Sequence, residues 1–129
     1  MTAVATKLRV LVVDDNRDSA DTLAMMLRIL GHDTHTAYDG QDAVERTAAL
    51  EPDAVLLDIG MPRLNGFEAA ERIRQQPGGS ERLILALTGF EEDEQRERLS
   101  AAGFNSCLVK PIDHTALNQL LTAFAARRG

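Results

Sequence analysis

Apolar and polar positions along the chain follow two alternating rhythms. Leu8 to Val13 is nearly all aliphatic, too short for a helix and β-branched enough for a strand buried on both faces. It stops at Asp14-Asp15-Asn16, a polar triplet that contains a helix N-cap. Ala20, Leu23, Ala24, Leu27 and Leu30 then recur at helical spacing and end at Gly31. The same alternation continues to the C-terminus. Asp33 to Ala37 is half polar, as expected of a strand near a sheet edge, and Asp39-Gly40 turns into a helix that packs Ala43, Val44, Thr47 and Ala48 inward. Pro52 precedes a third strand, Ala54 to Leu57, which carries Asp58 at its end. Leu64-Asn65-Gly66 leads into a helix carrying Phe67, Ala70 and Ile73, ended by Pro77-Gly78-Gly79. Leu83 to Leu87 and Ser106 to Val109 are the fourth and fifth strands. Between them, Glu91 to Ala102 is a mostly charged helix with little apolar stripe beyond Leu99 and Ala102, so it should be the least firmly docked. The last helix packs through Leu117, Leu120, Leu121 and Phe124.

Five strands alternating with five helices predict an α/β fold with a doubly wound parallel sheet covered on both faces. Right-handed crossovers bring every strand's C-terminal end to one edge, where such sheets place their ligand crevice. An aspartate followed by Gly60 and Pro62 is by itself an ordinary turn residue. The reading changes because Asp14-Asp15, Thr88 and Lys110 stand at the ends of three other strands.

Length and charge narrow the setting. A chain of 129 residues, 44% hydrophobic and 26% charged, is one domain, expected to run over residues 7–126 between a loose tail at 1–6 and a C-terminal end at 127–129. The net charge of -6, with 14 scattered Lys and Arg, argues against a nucleic-acid groove. Arg127-Arg128 reads as a helix end complementing the dipole. The single Cys107 cannot form an internal disulfide, no signal peptide opens the chain, and no apolar run approaches the ~20 residues of a membrane span. The expected location is cytoplasmic.

Three carboxylates within several Å repel strongly, about 4 kcal/mol for one pair at 4 Å and an effective dielectric near 20. Lys110 supplies one positive charge, and a hard divalent cation with oxygen ligands answers the rest. Mg²⁺ suits few carboxylates plus waters, whereas the absence of His or Cys in the set argues against zinc. A carboxylate beside Mg²⁺, a lysine and a threonine is a phosphoryl-transfer arrangement, in which the carboxylate itself can be the nucleophile.

The runs LVVDDN, VLLDIGMPRLNGFE, LALTGF and CLVKPID resemble the receiver domain of two-component response regulators over about Lys7 to Phe124. The resemblance implies a flavodoxin-like (βα)5 fold with strand order 2-1-3-4-5. It implies Asp58 as phosphoacceptor and Asp15 as a direct Mg²⁺ ligand together with Asp58 and the backbone carbonyl of Gly60. Asp14 would act mainly through bound water. Thr88 and Lys110 would each engage a phosphoryl oxygen, and a cis peptide would precede Pro111. The implied donor is the phosphohistidine of a sensor histidine kinase or histidine phosphotransfer domain. The DIGMP turn and Cys107 resemble receivers of hybrid histidine kinases, and the domain is expected to be a monomer or weak dimer.

Some positions depart from the receiver pattern. Cys107 stands where most receivers carry an aromatic that turns inward with the threonine, and it reads as a core filler in a buried strand. Gly60 offers no side chain two residues after Asp58, and Phe90 follows Thr88 by two, with opposite expected effects on water access. His32, His35 and His114 read as surface residues, and Glu91 to Glu94 as an acidic helix start. The principal rival is a Mg²⁺-dependent phosphatase with an aspartyl nucleophile, which would need a second aspartate where Gly60 stands. A flavodoxin-like flavin binder lacks a glycine-rich phosphate cradle and the aromatics to sandwich a flavin.

Overall fold

A computed structural model of the chain describes residues 7–59, 66–89 and 93–128. Its strands are β1 (Arg9–Val13), β2 (Asp33–Ala37), β3 (Ala54–Asp58), β4 (Leu83–Thr88) and β5 (Ser106–Val109). The helices are α1 (Arg17–Ile29), α2 (Gly40–Leu50), α3 (Gly66–Gln75), α4 (Asp93–Ala102) and α5 (His114–Arg128), with one 3-10 turn at Gly79–Glu81. The sheet is parallel throughout, in the expected order β2-β1-β3-β4-β5.

The near-continuous apolar runs follow from a sheet with two buried faces. Along β1, Val10 and Val12 join a core with α1 and α5, while Leu11 and Val13 join a second core with α2, α3 and α4. Leu56 and Leu85 face the first core, and Val55, Leu57 and Ile84 the second. Truncating any of these fully buried leucines to Ala should cost about 2–5 kcal/mol.

Local signals place the helix ends. The Asn16 side chain accepts the Ser19 amide at 3.1 Å and starts α1. At the other end, Gly31 at φ +102° lets its own N–H reach the Arg28 carbonyl and that of His32 reach the Leu27 carbonyl, a paired closure that needs a left-handed residue. Asp39 caps α2 by accepting the Asp42 amide at 2.7 Å.

Several inward and outward assignments differ from the pattern reading. His32 is buried rather than on the surface, because its Nδ1 accepts the Leu8 amide at 3.2 Å, a donor left over where β1 begins. Burial also lowers its pKa below the ordinary imidazole value of 6.5. His35 is half-buried, with Nε2 3.2 Å from Asp33. Cys107 is half-buried rather than fully buried, since four-residue β5 forms the sheet edge. Ala48 is exposed, and Leu120 and Phe124 are only partly buried against the first core. The predicted N-terminal tail, the Met61-Pro62 turn, Leu64-Asn65, Phe90 and Glu91-Glu92 lie outside the described residues.

At the N-terminal edge of the sheet, Arg74 ties three segments together. Its guanidinium donates to the carbonyls of Gly79, Arg82 and Gly103 and to Asn105 Oδ1, at 2.6 to 2.8 Å. Gly103, at φ +104°, lies so close to this side chain that a Cβ would come within 2.7 Å of Arg74 Cγ.

Candidate functional site

The C-terminal edge gathers Asp14, Asp15, Asp58, Thr88 and Lys110 because parallel strands end there together. Asp14 follows β1 and its amide donates to Ala37 at the end of β2. Asp58 closes β3, Thr88 closes β4, and the Lys110 amide donates to the Thr88 carbonyl at 2.7 Å. The Lys110-Pro111 peptide is cis. Gly66, the first residue of α3, packs so tightly that a Cβ there would sit 2.7 Å from the Asp58 carbonyl oxygen. The loop between them includes Gly60, whose placement as a ligand lies outside the described residues.

Carboxylate oxygens of Asp14, Asp15 and Asp58 lie within 4.8 Å of one another. Their environments differ. Asp14 is 2% exposed and both its oxygens are engaged, one by the Asn16 amide at 3.0 Å and the other by Lys110 Nζ at 2.8 Å. Asp15 is exposed, and the Asp58 side chain is 13% exposed, with one oxygen 3.5 Å from the same Nζ. Burial by itself would lower the Lys110 pKa, but the Asp14 hydrogen bond and the Asp58 and Asp14 charges together raise it above the usual lysine value. The ammonium is therefore retained throughout the neutral range.

Three carboxylates face one ammonium, all from hard oxygen donors. Among the described residues, no His or Cys joins this group. That donor set fits a small divalent cation that keeps several waters, and does not fit a zinc site. A cavity of about 440 Å³ opens beside the cluster, with Asp14 and Lys110 at one side and Thr22, Leu23, Leu87 and Ile112 among its walls.

All four sequence-derived strand ends meet here. The pattern reading passed over the neighbouring Arg17, Asp21 and Tyr38. Arg17 Cζ lies 4.3 Å above the Tyr38 ring, and the Tyr38 hydroxyl donates to Asp21 Oδ1 at 2.7 Å. The available signal was a basic residue at the first position of a helix, where the dipole favours an acid.

The family model for the response regulator receiver domain matches residues 10–122. The chain belongs to this family. Receiver domains of two-component systems interact with histidine kinases or phosphotransfer partners, and this one is similar to segments of sensor histidine kinases and to a chemotaxis protein. Sensor histidine kinase RcsC of Salmonella typhi is 36% identical over 120 residues, which are 93% of this chain and 12% of RcsC. Chemotaxis protein CheY4 of Vibrio cholerae superposes with a TM-score of 0.87 at 29% identity, over 92% of this chain and 98% of CheY4. The receiver domain of sensor histidine kinase PA1611 from Pseudomonas aeruginosa PAO1 gives a TM-score of 0.84 at 32% identity, over 93% and 98% of the two chains. The PA1611 structure has a magnesium ion coordinated in its active site cleft. No helix among the described residues of the present receiver is long and apolar enough to cross a membrane.

Proposed function

We propose that this receiver accepts a phosphoryl group on Asp58 from the phosphohistidine of a sensor histidine kinase or histidine phosphotransfer domain, and signals by the resulting change in shape. The observation that carries the reading is the Asp58 carboxylate at a strand end, within 4.8 Å of two other carboxylates and 3.5 Å from a lysine ammonium. An Asp58 oxygen attacks phosphorus, the phosphorus–nitrogen bond breaks, and the electron pair leaves with the imidazole.

Asp15 and Asp58, with the Gly60 carbonyl and Asp14 as further donors, would hold Mg²⁺, which when bound would supply charge neutralisation for the phosphoryl oxygens. The remaining work falls to the protein's own groups. Lys110 stays charged, anchored at 2.8 Å on Asp14, and its longer 3.5 Å approach to Asp58 leaves it free to turn toward a phosphoryl oxygen. Thr88, buried at the end of β4, offers its hydroxyl to a second phosphoryl oxygen. Asn16 keeps Asp14 oriented through its amide. The phosphatase alternative is less well supported because no second acid stands where such an enzyme needs one: Asp58 is followed by Ile59 and Gly60.

The test is intact mass after incubation with Mg²⁺ and acetyl phosphate, with and without EDTA. A single phosphoryl adduct that EDTA prevents is expected. An adduct that forms equally well in EDTA would remove the metal from the account.

A further inference from the structure

We infer that Arg98 and Phe67 form a clasp that holds α4 against α3 and is released when Asp58 carries a phosphoryl group; the inference rests on the phosphoacceptor reading of Asp58. The Arg98 guanidinium lies over the Phe67 ring, with Cζ 3.8 Å from its centroid. The Phe104 ring meets the same phenylalanine edge-on, at 6.1 Å and 86°. Phe104 is bound to α4 in turn, since its amide donates to the Leu99 carbonyl at 3.0 Å. One ring of α3 thus grips α4 along its body and just past its end.

Little else holds the body of α4. Among its described side chains only Leu99 and Ala102 are buried, and Arg98 is exposed while the ring beneath it is 8% exposed. A separate tie lies at the N-terminal edge, where Arg74 of α3 donates to the Gly103 carbonyl at 2.6 and 2.8 Å. That tie does not involve the ring. The helix therefore has a fixed end at Gly103 and a second hold, at Phe67, that can open by itself.

The first turn of α3 links the clasp to the acid cluster. Gly66 presses on the backbone of the phosphoacceptor strand: a Cβ there would lie 2.5 Å from Ile59 Cα and 2.7 Å from the Asp58 carbonyl oxygen. Contact without slack passes a backbone shift at Asp58 or Ile59 into α3, and Phe67 is the next residue. A phosphoryl group adds volume and negative charge at Asp58. At 3.8 Å the guanidinium is already at close separation from the ring, so displacing the ring lengthens and weakens the contact. On β5 the half-buried Cys107 packs against the same core without a ring, which leaves Phe67 to join the site to α4.

The experiment is hydrogen exchange resolved to single amides on the full chain with Mg²⁺, with and without excess acetyl phosphate, with intact mass reporting occupancy of Asp58. Without acetyl phosphate, Arg98→Met should speed exchange of the α4 amides about threefold to tenfold and leave α1 and α5 at wild-type rates. Arg98→Lys, which keeps a cation, should restore part of the protection. Phosphorylated wild type should exchange its α4 amides as fast as unphosphorylated Arg98→Met, and phosphorylation should add less than about twofold in that variant. Wild-type exchange of α4 in Arg98→Met would overturn the inference. So would an adduct on Asp58 that leaves α4 unchanged, or one that speeds it by the same factor in wild type and variant, which marks a purely structural contact. A wild-type chain that gains no adduct at Asp58 would refute the phosphoacceptor reading itself, and the release of the clasp with it.

Discussion

The two edges of the sheet use charge in opposite ways. At the N-terminal edge, the Arg74 guanidinium is consumed by carbonyls of the backbone and the Asn105 side chain, although burial and then the neighbouring Arg82 lower its pKa. At the C-terminal edge, three carboxylates cluster, two of them reach one lysine, and the group remains short of positive charge. The first arrangement holds segments together. The second stores repulsion that a bound cation can relieve, which is the usual trade of stability for function at a working site.

Breaking the N-terminal edge should have the largest effect on stability. Arg74→Met leaves the Gly79, Arg82 and Gly103 carbonyls without this partner and should lower stability by about 3 kcal/mol, read as a shift in urea midpoint at unchanged slope. Phosphoryl uptake per folded molecule should not change. Next in size is the cation effect at the other edge. Mg²⁺ at a hundred times its dissociation constant should stabilise the wild-type protein by about 2.7 kcal/mol, and EDTA should reverse the gain. Asp58→Asn comes third: in metal-free buffer it should raise stability by about 1–2 kcal/mol because it relieves like-charge repulsion. Thermal unfolding in EDTA checks this, and a destabilised Asp58→Asn protein would contradict the picture of a strained acid cluster.

The smallest effect is a pH slope from His32 at the N-terminal edge. Its folded pKa is depressed by burial, so the unfolded chain takes up the proton first as pH falls. The stability linked to neutral His32 is present above about 6.5 and is lost as pH falls through the lower folded pKa. Stability measured from about pH 7 to 5 should fall in wild type and fall less steeply in His32→Gln. Equal slopes would remove His32 as the cause.

The difference between the edges also explains what could be read from the sequence. Asp14 and Lys110 are 96 residues apart, yet both were legible because each ends an apolar strand and parallel strands end on one side. The bounds of β2 and β5 were legible from the turn and polar residues that flank them. Arg74 was not, since its acceptor at Gly103 lies 29 residues away and nothing in the helix pattern separates it from a surface arginine. His32 was misplaced because its burial depends on the Leu8 amide, a partner 24 residues distant. Cys107 was placed too deep because a short apolar run reads alike in a central strand and in an edge strand such as β5. Arg17 carried a local signal, its position against the helix dipole, but Tyr38 as its support belongs to another strand exit.

The central claim is that the repulsive edge exists to receive a phosphoryl group on Asp58. Its most direct test is site mapping. The protein is incubated with Mg²⁺ and acetyl phosphate, reduced with borohydride to convert an aspartyl phosphate to homoserine, and digested for peptide mass analysis. The account predicts homoserine at position 58 alone and no phosphoryl adduct on Asp58→Asn. Homoserine at another aspartate, or an Asp58→Asn protein that still gains one phosphoryl group at the wild-type rate, would contradict it.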